Sequence, residues 1–270
     1  MTTPPTFFDP AGAVAIVTGG GKGIGLALAR ELKARGAAHV ALADLDEAAL
    51  AAAGTEIGGL TFAIDVADQA AVAAMVADVE AAAGPLTLFA ANAGIIGGMD
   101  PDPDDPSSPA LADFQRALDV NALAHIVAAK AALPGFRSRG QGWFLNTISA
   151  AGLLSQIGSA PYSVSKHAAI GFAEALAYTV RGGNIGVSIL CPQAVRTAML
   201  GDAPDEELKG GANIDGILSP EEVARITLDA MAAGDFLITP HPKVRDYMKN
   251  KAENYDRWIG GMAKLRKAVL

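Results

Sequence analysis

Seven short runs of apolar residues punctuate the chain: VAIVTG at 14–19, HVALAD at 39–44, LTFAID at 60–65, LTLFAANAG at 86–94, GWFLNTIS at 142–149, IGVSILCP at 185–192 and DFLITP at 235–240. Their apolar stretches are nearly continuous rather than alternating, which predicts strands buried on both faces. Between them lie longer segments with apolar residues at helical spacing: GIGLALARELKARG from residue 23, the Ala-rich stretch 69–83, residues 111–133, and the segment carrying YSVSK at 162–166. This alternation of strand and helix predicts a parallel, doubly wound seven-stranded α/β sheet with helices on both faces and right-handed crossovers.

Two segments break the rhythm. GGMDPDPDDPSSP at 97–109 is too rich in Pro to form regular structure and is expected to be a solvated loop. An EF-hand is a poor match, since counting from Asp100 puts Asp105 where Gly is needed and Leu111 where Glu is needed. The second break, at 193–218, precedes a helix that SPEE would cap, and a long loop in this place of an α/β domain reads as a substrate lid. Residues 243–270 read as a helical extension, with Val244, Tyr247, Met248, Tyr255, Trp258, Ile259, Met262 and Leu265 available for a packed stripe on its own subunit or on a neighbour. No repeat and no flexible linker divides the chain, so one domain over 1–270 is expected.

Composition narrows the function. With 270 residues, 51% of them hydrophobic and 19% charged, and a mean hydropathy of +0.28, the chain reads as globular rather than disordered. A net charge of -8 argues against a nucleic-acid partner. The single cysteine, Cys191, has no internal disulfide partner, and His39, His125, His167 and His241 show no metal-ligand spacing. The opening MTTPPTFFDPAGAV has no basic region followed by an apolar one, and no apolar run is long enough to span a bilayer. The expectation is a protein of the reducing cytoplasm with no metal and no membrane partner.

The first glycine cluster carries chemistry. VTGGGKGIG follows a strand and opens a helix, where glycines allow a tight turn and free N–H groups favour a pyrophosphate. Its pattern is T-G-x-x-x-G-x-G through Gly19, Gly23 and Gly25, and it is not a Walker A loop. Asp44 ends the next strand, where a carboxylate can hold both ribose hydroxyls of NAD and repel the 2′-phosphate of NADP. Lys22 pulls the other way, toward NADP.

These residues, with DV at 65–66, NAG at 92–94, Asn121 in LDVNAL, Ser149 in NTIS and Y-x-x-x-K at 162–166, resemble the classical short-chain dehydrogenase/reductase family in order and spacing over about residues 12–240. The resemblance implies a single-domain Rossmann-type fold and an NAD(P)-dependent oxidoreductase, with NAD favoured. It implies that Asp65 and Val66 seat the adenine, that Asn92, Ala93 and Gly94 shape the cofactor floor, and that Thr197 meets the nicotinamide carboxamide. Ile24, Leu45, Pro192 and Val195 complete the implied cofactor contacts. Gln193 departs from the family's Pro-Gly and Ala91 from its usual second Asn, which leaves the backbone path beside the nicotinamide open.

By the same resemblance Tyr162 is the acid/base, Lys166 its electrostatic support and ribose anchor, Ser149 the group on the substrate oxygen, and Asn121 the holder of a water that links Lys166 to solvent. A free tyrosine is too weakly acidic to serve as a base at neutral pH, so the Lys166 ammonium and oxidised nicotinamide are expected to lower its pKa. Ser163 and Ser165 read as plain helix residues. The expected substrate is an apolar or aromatic secondary alcohol or ketone between walls that include Leu153, Leu154, Val195, Met199 and Leu200, while Arg196 leaves an anionic one open. A homotetramer is implied. Two other functions remain open at this point: a non-catalytic dinucleotide sensor, and an epimerase or dehydratase using bound NAD.

Overall fold

A computed structural model describes residues 7–200 and 214–270. The strands β1 (Val14–Thr18), β2 (His39–Asp44), β3 (Thr61–Ala63), β4 (Leu88–Ala91), β5 (Gly142–Thr147), β6 (Ile185–Leu190) and β7 (Leu237–Ile238) form one parallel sheet. Their order is β3-β2-β1-β4-β5-β6-β7. The direction of winding reverses between β1 and β4, which opens a crevice at the carboxyl ends of those strands.

Most apolar strand residues divide between two cores. Ala15 and Val17 of β1, with Leu88 and Ala90 of β4, pack with Leu28 and Leu32 of α1 (Gly23–Ala34) and with Val223, Leu228 and Met231 of α8 (Pro220–Ala232). Val14, Ile16, Phe89 and Phe144 point to the opposite face. There they meet α3 (Gln69–Ala83), α5 (Ala124–Arg139) and α7 (Ala160–Val180) through Met75, Phe136 and Leu176. Burial on both faces explains why these strands read as continuous apolar runs. Asp46 caps α2 (Glu47–Ile57), Asp68 caps α3, and Ser219 with Glu222 forms a capping box on α8.

The structure departs from the sequence pattern in four places. Helix α2 is not marked by the pattern, because EAALAAAGTEI has little contrast between its apolar and polar faces. The helix expected over 111–133 is α4 (Leu111–Leu118), a π-helical turn over Asp119–Leu123, and then α5. The seventh strand is only two residues long. The extension forms α9 (Lys243–Glu253) and α10 (Tyr255–Val269), but Val244 is the one residue of the expected stripe that is fully buried. Tyr247, Met248 and Trp258 are partly buried and pack on Ala150 and Leu154. Residues 201–213 of the expected lid lie outside the described residues.

Trp143 shows how close the packing is under the sheet. Its indole N–H donates to Ser188 Oγ at 3.2 Å, and its ring occupies the space a side chain on Gly186 would need. A methyl at Gly186 would fall inside that ring. Gly186→Ala is therefore expected to lower stability by about 1–3 kcal/mol, read as a shifted urea midpoint, and an unchanged midpoint would contradict this packing.

Candidate active site

The sharp turn after β1 can be built only with glycine. Gly19 has φ +62°, a left-handed conformation, and a side chain there would press on the Ala93 backbone at 2.9 Å. A methyl on Gly25 would overlap the Gly19 carbonyl. Thr18 stitches this turn to the loop after β4: its hydroxyl oxygen accepts the N–H groups of Asn92 at 2.9 Å and Ala93 at 3.1 Å. Asn92 Nδ2 returns a bond to the Thr18 carbonyl at 3.1 Å.

Unlike α2, α3 and α8, helix α1 begins with no side-chain cap, and its first turn has no acidic residue. Its first residues, Gly23 and Ile24, line the cleft, and no side chain caps them, which fits a pyrophosphate. Asp44 is held rigidly, with Oδ2 accepting the Gly21 N–H at 3.0 Å and Oδ1 the Asp46 N–H at 3.1 Å. Lys22 pairs with Asp46 at 3.0 Å. The Ala49 N–H, and then Lys22, hold the Asp46 carboxyl below its ordinary range. Asp65 accepts the Ala67 N–H at 2.9 Å and pairs with Arg116 at 3.0 Å.

At the other end of the cleft, α7 sets Tyr162 and Lys166 one turn apart, with Nζ 5.5 Å from the phenol ring centroid. The amide of Ala160, in the first turn of α7, donates to Asp100 Oδ1 at 2.9 Å, and Ser159 Oγ donates to the Gly98 carbonyl at 2.6 Å. The 97–109 loop thus braces α7 at Gly98 and Asp100, while residues 101–107 are exposed as expected of a solvated loop. Lys166 is 3% exposed, and burial lowers its pKa to about 8, so it remains an ammonium at neutral pH.

In the protein alone the expected lowering of the Tyr162 pKa is not found. Burial raises it, and the neighbouring Ser149 hydroxyl opposes that rise. Ser149 follows β5, with its oxygen accepting the Ala151 N–H at 3.1 Å and its hydroxyl facing the Pro192 carbonyl at 3.5 Å.

Asn121 sits in the π-helical turn. Its Oδ1 accepts the Ile95 N–H at 2.9 Å, and its Nδ2 donates to the Ile95 carbonyl at 2.8 Å and to Ser165 Oγ at 3.0 Å. Ser165 in turn donates to the Tyr162 carbonyl at 2.9 Å, so it is a link in the site rather than a plain helix residue. Ser163 likewise accepts the Gln156 N–H at 2.8 Å. A methyl on Gly94 would lie 3.2 Å from Asn121 Oδ1 and 3.4 Å from Lys166 Nζ, so this glycine leaves room for both.

One cleft of about 1130 Å³ joins the two ends. It is lined by every expected site residue except Gly25 and Asn121, which stand behind its wall. Thr197 overhangs the glycine turn, its Cγ2 3.1 Å from where a Gly23 side chain would begin. Leu154, Val195, Met199 and Leu200 line the cleft, whereas Leu153 and Arg196 do not. Gln193 is not in the left-handed region, so the chain passes Pro192 without needing glycine.

The extension lies over its own cleft, to which Tyr247, Trp258, Met262 and Leu265 contribute. Lys251 Nζ donates to the Leu153 carbonyl at 2.7 Å, and Arg266 reaches the Pro103 carbonyl and, at 2.7 Å, Asp104. Sequence reasoning left open which subunit the extension covers. It also missed Thr18 and Ser165, whose partners are distant in the chain; the Thr of T-G-x-x-x-G-x-G was the available signal for the first.

The fold and this cleft define a dinucleotide-dependent dehydrogenase, and the family model for short chain dehydrogenase matches residues 13–208. The chain belongs to that family. It is similar to the 2-dehydro-3-deoxy-L-rhamnonate dehydrogenase (NAD(+)) of Sphingomonas sp. (strain SKA58), 35% identical over 73% of this chain and 78% of that one. It also resembles the 1-deoxy-11-beta-hydroxypentalenate dehydrogenase of Streptomyces exfoliatus, 30% identical over 91% and 89%. A short chain dehydrogenase/reductase from Burkholderia phymatum, solved in complex with NAD, superposes with a TM-score of 0.81 at 28% identity, covering 92% of this chain and 96% of that one. Among the described residues no helix is long and apolar enough to cross a membrane.

Proposed function

We propose that this protein is an NAD-dependent oxidoreductase that interconverts a secondary alcohol and a ketone on a largely apolar substrate. The observation that carries the reading is the convergence of Tyr162, Ser149 and the buried Lys166 on the same cleft as the uncapped start of α1. When bound, the dinucleotide accepts or supplies the hydride.

The chain's residues handle the proton and the geometry. Ser149 donates a hydrogen bond to the substrate oxygen and stabilises charge developing there. Tyr162 takes the hydroxyl proton in oxidation and returns it in reduction. The Lys166 ammonium favours the tyrosinate, and its reach along the cleft suits the ribose hydroxyls. Asn121 holds the loop after β4 against α7, in the position proposed for a water relay to solvent. The non-catalytic sensor is not favoured because all four of these groups are in place, and the epimerase or dehydratase is not favoured because the glycine spacing and the short chain dehydrogenase model fit a reductase better.

Cofactor choice follows from charge. Asp44, at the end of β2 in the proposed dinucleotide end of the cleft, would repel a 2′-phosphate there, and Lys22, the group that favoured NADP, is engaged by Asp46. Both features support NAD, as do the relatives named for it. Leu154, Met199, Leu200, Trp258, Met262 and Leu265 support an apolar substrate. Exposed Val164 and Tyr178 on α7, with Leu111 on α4 and Leu123 after it, fit self-association. On this and the family resemblance we extend the reading to a cytoplasmic homotetramer.

A panel of secondary alcohols and ketones assayed with NAD(H) and NADP(H), by the absorbance of the reduced nicotinamide, tests the function. Tyr162→Phe is expected to cut turnover by at least about a thousandfold while NADH still binds; near-normal turnover would remove Tyr162 from its role. Asp44→Ala is expected to reduce the preference for NAD and improve use of NADP. A parent enzyme that already prefers NADPH would overturn the charge argument.

A further inference from the structure

One stretch of the cleft wall is polar rather than apolar. Gln193, Asp215 and Tyr247 line it together, within the substrate end of the cleft. The Asp215 side chain is only 4% exposed. Its Oδ1 meets Lys243 Nζ at 2.9 Å and accepts the Tyr247 hydroxyl at 3.2 Å. Burial opposes its charge, but Lys243, the Gln193 side chain and Tyr247 outweigh that and hold the carboxyl below its ordinary range.

Two enclosed acceptors here have no hydrogen-bond partner among the described residues: Asp215 Oδ2 and Gln193 Oε1. Buried acceptors left unpaired are costly, so a donor brought by a ligand would be favoured there. Gln193 is fixed from behind, since its N–H donates to Nδ1 of His241 at 3.2 Å, and His241 is 2% exposed. Lys243 already compensates the Asp215 charge, so the missing donor is a neutral hydroxyl rather than an ammonium. A carboxylate or phosphate would face two acceptors and be repelled.

The position relative to the chemistry is also defined. Gln193 directly follows Pro192, whose carbonyl faces the Ser149 hydroxyl at 3.5 Å. Tyr247 packs on Ala150 and Leu154, which follow Ser149 in the chain. Gln193 and the partner of Asp215, Tyr247, therefore belong to the same stretch of wall as the group proposed to hold the reacting oxygen. Gln193 occupies the place where the family pattern has glycine, so this acceptor belongs to this chain rather than to the pattern.

We propose that Gln193 and Asp215 form a subsite for a second hydroxyl of the substrate, so that the preferred substrates are diols or hydroxyketones on an apolar skeleton. This rests on the oxidoreductase reading above. The test compares cyclohexanol with the 1,2-, 1,3- and 1,4-cyclohexanediols in NAD+-dependent oxidation by the full-length protein. At least one diol is expected to exceed cyclohexanol in kcat/KM by about tenfold or more, and the ratio should collapse toward one in Gln193→Leu and in Asp215→Asn. A parent with no preference, or variants that lose both activities while keeping the ratio, would overturn the subsite.

A second measurement separates this from the activity itself. With NAD+ saturating, at least one of the diols should raise the melting temperature of Tyr162→Phe more than cyclohexanol does, and adding Gln193→Leu should erase the difference. No turnover of any alcohol would sink the activity reading, and the melting shifts would still decide the subsite. Equal shifts for diol and cyclohexanol mean that water alone fills the place, and the proposal fails.

Discussion

Lys166 keeps an ammonium inside the protein, and the surrounding structure is arranged to tolerate it. Burying a charge is costly unless polar groups surround it. Here the cost shows as a pKa lowered to about 8, still high enough to leave the group charged at neutral pH. Neighbours that could compete for the charge are kept neutral. His125 is held to about 3, by burial first and by Lys166 second, and burial pushes the Cys191 thiol up to about 12. In the protein alone burial still holds the Tyr162 hydroxyl above its ordinary range, and the help of the ammonium is proposed for the site with dinucleotide bound. Asn121 and Ser165 tie this part of α7 to the loop after β4, and Gly94 leaves the space that any other residue would fill.

The two ends of the cleft are held with different firmness. At the proposed dinucleotide end, backbone groups do the holding: Thr18 binds the loop after β4, and Asp44 is fixed by two N–H groups. Pre-set geometry there suits a cofactor that must be presented the same way in every cycle. At the substrate end the wall comes from the extension, and none of α10 is buried. Its brace between Arg266 and Asp104 is an exposed ion pair, a kind that contributes little to stability.

Much of this was legible in the chain. The buried strands announced themselves as continuous apolar runs, and TGGGKGIG, Asp44, Ser149 and YSVSK converge on one cleft because each ends or follows a strand on the same edge of the sheet. What escaped depended on partners far apart in sequence. The π-helical turn that sets Asn121 has no local signature, and Ser165 looks like any helical serine until Asn121 is placed beside it. Lys22 as a sign of NADP could be judged only once Asp46 was seen to engage it. Gln193 read as a disturbance of the backbone, whereas its backbone is ordinary and its side chain is the notable part. Helix α2 was hidden by alanine, which favours helix without marking a face.

The buried ammonium is open to direct measurement through the pH dependence of stability, compared between the parent and Lys166→Met without dinucleotide. The folded pKa of about 8 lies below the ordinary lysine value of 10.5, so over that interval the unfolded chain binds more protons than the folded one. Relative to Lys166→Met, the parent is therefore least stable below pH 8 and should gain about 3 kcal/mol as the pH rises from 8 to 10.5. A difference that stays flat across this range would mean that Lys166 is not a buried ammonium, and the account of Tyr162 built on it would fall.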